Sequence, residues 1–125
     1  MKEKKLSEFM GVRESIRVLD ATLRDGGLVN NFYFTDEFVK ALYETNIKAG
    51  VDYMELGYKA SKEIFSTDEF GTWKFCDDED ILRVIGENSE KRIKLAVMAD
   101  VGRCDYKTDI EDRANSPVDL VRVAT

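Results

Sequence analysis

Apolar residues fall along the chain in four short runs, separated by stretches with helical spacing or none. The first run, IRVLDATL (16–23), is rich in branched residues and closes on Gly26-Gly27, which predicts a strand ending in a broken loop. The polar, irregular residues 1–15 ahead of it read as a leader outside the core. After the loop, Thr35 suits an N-cap, with Asp36 and Glu37 placed well for the helix dipole. Phe38, Val39, Leu42, Tyr43 and Ile47 then recur at helical spacing, and Gly50 supplies the stop. VDYMELG (51–57) predicts a second strand, ended by another glycine.

Residues 58–78 show no period but carry Phe65, Phe70, Trp73 and Phe75. They read either as a lid or subunit contact, or as a packed irregular loop. DEDILRVIGENS (78–89) predicts a short amphipathic helix built on Ile81, Leu82, Val84 and Ile85. RIKLAVMAD (92–100) is the most apolar run and predicts a strand buried on both faces. A connection follows over 101–117, with a helical turn expected around 109–114 and a stop at Ser116-Pro117. VDLVRVAT (118–125) is the fourth strand. The order β-α-β-α-β-(α)-β, with connections long enough to cross over, implies parallel strands and an α/β fold.

Composition narrows the function more than the fold. The chain has 125 residues, enough for one modest core, with 43% hydrophobic and 35% charged positions. Its 25 acidic and 19 basic side chains leave a net charge of −6, which argues against a nucleic-acid partner. No apolar stretch approaches a membrane span and no secretory h-region follows the charged N-terminus, so no membrane partner and a cytoplasmic location are expected. Cys76 and Cys104 lack metal or redox spacing and read as free thiols of a reducing compartment. Histidine is absent, which excludes Ser-His-Asp and Cys-His machinery within these residues. There is no Gly-x-Gly-x-x-Gly and no Gly-Lys-Ser/Thr, so a phosphate-binding loop has no support.

Ligands in parallel α/β sheets bind at the carboxyl ends of the strands, and each predicted strand ends in something polar. The first ends in Asp20, Arg24 and Asp25; the second carries Glu55, followed by Lys59. The third stops at Asp100, and the fourth holds Arg122 and stops at Thr125. Glu55 interrupts an apolar strand, and a buried carboxylate needs a partner or a metal to offset its desolvation. For Arg24 and Asp25 the plain alternative is a surface ion pair worth under ~1 kcal/mol.

DATLRDGG resembles the Asp-x-Thr-Leu-Arg-Asp-Gly motif of the DRE-TIM metallolyases. AGVDYMELGY (49–58) is similar to that superfamily's second-strand segment with its glutamate. DLVRVAT is similar to the fourth strand of its 4-hydroxy-2-oxovalerate aldolase branch, the branch this chain resembles most. The resemblance covers most of 16–125 and implies the N-terminal half of a (β/α)8 barrel, about four strands of a complete TIM barrel. It implies a metal-dependent carbon–carbon lyase acting on a 2-oxo acid through an enolate, with Mn²⁺ or Mg²⁺ as cofactor. Carried over by motif, Asp25 is a metal ligand, Arg24 stabilises the enolate oxygen, and Glu55 stands near the metal and orients ligands or water. Asp20, Asn30, Asp100 and Thr125 are candidate substrate contacts.

The chain departs from the family pattern in three ways, one being length, since a complete barrel typically needs about 200 residues or more. It lacks the His-x-His pair that supplies the other metal ligands on a later strand, and it has GLVNN where the aldolases carry a histidine soon after Arg-Asp-Gly. Asn30 and Asn31 there can hydrogen-bond but cannot act as a base. A half-barrel with these gaps is expected to be inactive alone, and to form a homo-oligomer or to associate with the missing half of the barrel. A non-catalytic binding or regulatory α/β domain is the alternative from another class, and a thioester-using Claisen-type synthase is the alternative within the superfamily.

Overall fold

The computed structural model describes residues 15–125. Except for Ser15, the expected leader lies outside the described residues. Four strands make one sheet: β1 (Leu19–Asp20), β2 (Tyr53–Tyr58), β3 (Lys94–Asp100) and β4 (Leu120–Ala124). The helices between them are α1 (Thr22–Asn30), α2 (Asp36–Ala49), α3 (Asp78–Val84) and the single turn α4 (Tyr106–Asp109). Short 3-10 turns occur at Thr72–Lys74 and Arg113–Asn115. All three strand pairings are parallel and the spatial order is β1-β2-β3-β4. Sequential parallel strands in spatial order are the repeating unit of a TIM-type barrel, and this α/β unit is consistent with part of one.

The period-two alternation of the strands sorts the core. Met54 and Leu56 of β2 and Leu95 and Val97 of β3 join one buried cluster with Leu23 of α1, Val39 of α2, and Ile81 and Val84 of α3. Glu55 and its β3 neighbour Ala96 have the opposite parity and are also fully buried. Both faces of β3 are therefore largely covered, which accounts for its unbroken apolar run.

The strand expected over 16–23 is only two residues long. From Thr22 the chain is helical, and Gly26-Gly27 lie inside α1 rather than breaking it. Local bonds favour the early turn: Thr22 Oγ1 donates to Asp20 Oδ1 at 2.6 Å, and the Asp25 N–H donates to the Ala21 carbonyl at 2.8 Å. The glycines serve packing instead. Leu23 and Gly27 share the buried face one turn apart, and a Cβ on Gly27 would lie 2.0 Å from the Phe32 ring. The helix ends at Asn31, whose φ of 55° is the left-handed conformation asparagine tolerates.

Helix α2 follows its sequence signals. Thr35 Oγ1 accepts from the Phe38 N–H at 3.1 Å, and Gly50 closes the helix at φ 76°. Val39 is buried and Leu42, Tyr43 and Ile47 pack against the core, while Phe38 is exposed and stacks on Phe34. Helix α3 is shorter than expected: Ile81 and Val84 are buried, but Leu82 faces solvent. The turn expected at 109–114 is displaced into α4, where Asp105 caps the Lys107 N–H at 3.0 Å, and into the 3-10 turn after it. Ser116 is extended before Pro117, as the proline ring requires. In the 58–78 connection Trp73 and Phe75 are buried in the core, so the segment is a packed irregular loop. Gly57 lets it approach the strand, since a Cβ there would lie 1.9 Å from the Trp73 carbonyl oxygen.

Candidate active site

On one face of the sheet, three elements bring charged groups onto one carboxylate. Glu55, in the middle of β2, is fully buried. Arg24 of α1 donates from Nε to Glu55 Oε1 at 2.8 Å. Arg122 of β4 donates from Nε to Oε2 at 2.5 Å and from a terminal nitrogen to Oε1 at 2.7 Å, and also reaches Met98 Sδ. Three charge-assisted bonds thus meet on one buried acid, two of them from the planar fork of a single guanidinium. The other end of Arg24 pairs with Asp25 Oδ1 at 2.7 Å; the Asp25 side chain is 65% exposed.

The electrostatics follow from this clamp. Burial alone would raise the Glu55 carboxyl, but the hydrogen bonds and charges of Arg122 and Arg24 outweigh it and hold the group below the usual carboxylate range. Both guanidiniums are held even more firmly protonated. Burial opposes this at Arg24, where the hydrogen bond to Glu55, the nearby Tyr58 side chain and the charge of Asp25 prevail. At Arg122 the bond to Glu55 dominates. The arrangement therefore holds two guanidinium cations on one buried carboxylate.

Arg24, Asp25 and Glu55 come together in the fold, and Arg122 joins them. The sequence placed Arg122 at a strand end but gave it no role. Its signal was a lone arginine inside an apolar strand, one strand beyond the β3 neighbour of Glu55. Tyr58, aligned with Arg24, carried no signal beyond its place at the end of β2. The other candidates are engaged elsewhere. Asp20 accepts from Thr22 and, at 3.2 Å, from Asn46 of α2. Asn30 caps the end of its own helix, donating to the Tyr33 carbonyl at 2.8 Å and accepting from the Phe32 N–H at 3.1 Å. Asp100, the last residue of β3, lines a small cavity with Lys74 and Arg103, and Thr125 is exposed after β4. Lys59 is buried and paired with Asp78 at 2.8 Å.

These residues do not by themselves fit a divalent ion. Asp25 offers one hard oxygen donor, already paired with Arg24. Among the described residues no group of three His, Cys, Asp or Glu side chains converges to hold a metal. Both cysteines are free, and Cys76 lies in the core, where burial raises its thiol pKa strongly and keeps it protonated. No described helix is long and apolar enough to cross a membrane.

No protein-family model matches the chain. It is 27% identical over 115 residues to 4-hydroxy-2-oxovalerate aldolase 6 of Rhodococcus jostii (strain RHA1), covering 91% of this chain and 31% of that protein. It is 29% identical over 112 residues to the 4-hydroxy-2-oxovalerate aldolase of Moorella thermoacetica, covering 89% of this chain and 32% of that protein. The chain spans about a third of the length of the curated relatives it matches. Among solved structures, the N-terminal domain of a candidate aldolase from Bacteroides vulgatus superposes with a TM-score of 0.63 at 23% identity, over 88% of this chain and 36% of that one. That likeness shows the fold. Together with the two relatives, it supports an aldolase-like relationship for these 125 residues.

Proposed function

We propose that these residues form the Arg-Asp half of the active site of an aldolase-like carbon–carbon lyase acting on a 4-hydroxy-2-oxo acid. The observation that supports it most directly is the buried Glu55 carboxylate of a parallel sheet holding both Arg24 and Arg122. In a retro-aldol cleavage the C4 hydroxyl loses its proton, the C3–C4 bond breaks, and its electron pair becomes an enolate whose charge develops on the C2 oxygen. A fixed guanidinium is suited to that charge because it needs no reorientation as the charge appears. Arg24 has that task here, with Glu55 and Asp25 fixing its plane. These 125 residues contain no imidazole that could take the C4 hydroxyl proton.

In this proposal Asp25 gives the divalent ion one ligand, and the others come from barrel strands that these residues do not include. The chain alone is then expected to bind Mn²⁺ more weakly than micromolar by calorimetry and to release no pyruvate. In the complete barrel, Arg24→Ala should lower turnover on a 4-hydroxy-2-oxo acid about 100-fold or more, while Mn²⁺ affinity changes little. A fully active Arg24→Ala enzyme would remove the catalytic role. A complete protein without cleavage activity would favour the second reading, in which the Glu55 ion-pair network is structural and the domain serves binding or regulation.

A further inference from the structure

The 58–78 connection builds a second device beside the arginine cluster. The Lys74 ammonium lies 4.2 Å from the centroid of Phe65, 5.1 Å from Tyr58, 5.2 Å from Phe70 and 5.3 Å from Phe32. Each ring lies within the roughly 6 Å over which a cation is attracted to an aromatic face. The rings brace one another edge to face, Phe32 against Tyr58 at 5.5 Å and Phe65 against Phe70 at 5.7 Å.

The cage encloses its own cation. The cavity beside it, lined by Tyr58, Phe65, Lys74, Asp100 and neighbours, measures about 10 Å³, around the least that admits a single water. A foreign ammonium therefore has no room there.

Two of the rings come from the elements that carry the arginine cluster or from just after them. Phe32 follows directly on α1, which bears Arg24 and Asp25, and Tyr58 ends β2, which bears Glu55. Phe32 is locked in place: it is buried, it fills the space that Gly27 leaves open on α1, and it holds a φ of 64°, rare for an aromatic residue. The neighbouring backbone is tied as well, since the Gly71 N–H donates to the Asn31 carbonyl at 2.8 Å. The Tyr58 side chain in turn stands near enough to the Arg24 guanidinium to favour its protonated form. One lysine thus fastens the end of α1 to the end of β2.

We propose that Lys74 is a positioning residue: its aromatic cage sets α1 against β2 and so holds the Arg24 guanidinium on Glu55. The inference rests on Arg24 having the role proposed above, but its test reads geometry rather than turnover. In the 125-residue chain, the Nε–H groups of Arg24 and Arg122 both donate to Glu55, and hydrogen exchange at each is followed separately by ¹⁵N NMR. Lys74→Met keeps the length of the side chain and removes the charge. It should speed exchange at Arg24 Nε–H about tenfold or more while Arg122 changes less than about twofold. Lys74→Arg, whose guanidinium also stacks on aromatic faces, should restore Arg24 to within about threefold of wild type.

Unchanged exchange at Arg24 in Lys74→Met would overturn the proposal. So would equal acceleration at both arginines, which would mean general loosening. Should Lys74→Met fail to fold, Phe65→Leu removes the nearest ring and leaves the lysine, and the same selective loss at Arg24 decides the matter. If neither arginine shows a protected Nε–H in the wild-type chain, the active-site geometry fails, an outcome distinct from failure of the cage.

Discussion

Replacing Glu55 by glutamine tests the centre of the site directly. The side chain keeps its size, but one carboxylate oxygen becomes an NH2 group facing donors already aimed at it. Three hydrogen bonds from two guanidiniums end on that carboxylate at 2.5–2.8 Å. Removing one partner of a buried ion pair typically costs about 3–5 kcal/mol, because the remaining charge is left without a counterion. Here both cations can partly rehydrate, the Arg122 side chain being 41% exposed and that of Arg24 19%. The expected loss is therefore about 2–4 kcal/mol, a large part of the 5–15 kcal/mol typical of a domain. With a urea slope of about 1.5 kcal/mol/M, the unfolding midpoint should fall by about 1–3 M. The single tryptophan, Trp73, is buried and reports the transition by fluorescence. In an Arg122→Met background the same substitution should cost about 1 kcal/mol less, since one orphaned cation is then absent. A Glu55→Gln midpoint within about 0.3 M of wild type would refute the argument, for the carboxylate would then be hydrated and its partners dispensable.

Two further outcomes follow from the same geometry. Gly27→Ala should destabilise the chain by about 1–3 kcal/mol in urea, because the new methyl meets the Phe32 ring. Gly26→Ala, whose methyl would meet only Phe34 at an ordinary 3.5 Å, should stabilise it by about 0.5–1 kcal/mol; equal effects at both positions would contradict the packing of α1. The Glu55 carboxyl is lowered in the folded state, so its contribution is fully present above its unfolded pKa of about 4.3 and is lost as pH falls through the lower folded value. The stability gap between wild type and Glu55→Gln should therefore narrow as pH drops below about 4, and a pH-independent gap would contradict that account.

Much of the fold was written in local patterns. The apolar runs of β2, β3 and β4, the Thr35 cap and Gly50 stop of α2, and the long crossovers imply a parallel α/β unit because each signal acts within a few residues. Glu55 was legible for a related reason: a carboxylate within an apolar strand is expensive unless something answers it, so its position announced a partner without naming one. The sequence could not say that the partners are two arginines, since Arg24 and Arg122 lie 31 and 67 residues away from it. Only the parallel register, with β3 between β2 and β4, brings them together.

Other features were decided by packing against local preference. Two adjacent glycines read as a break, yet both are helical, and at Gly27 the Phe32 ring occupies the space a side chain would fill. That helix moves Arg24 and Asp25 from a loop onto a rigid element. Asp20 and Asn30 are candidate substrate contacts by position, and in the fold their short polar side chains bond nearby backbone and side-chain groups. The Lys74 cage left no periodic trace, since its four rings come from positions 32, 58, 65 and 70. Local chemistry selects elements and marks costly residues, whereas the identity of the groups that offset those costs is a long-range property that only the folded chain supplies.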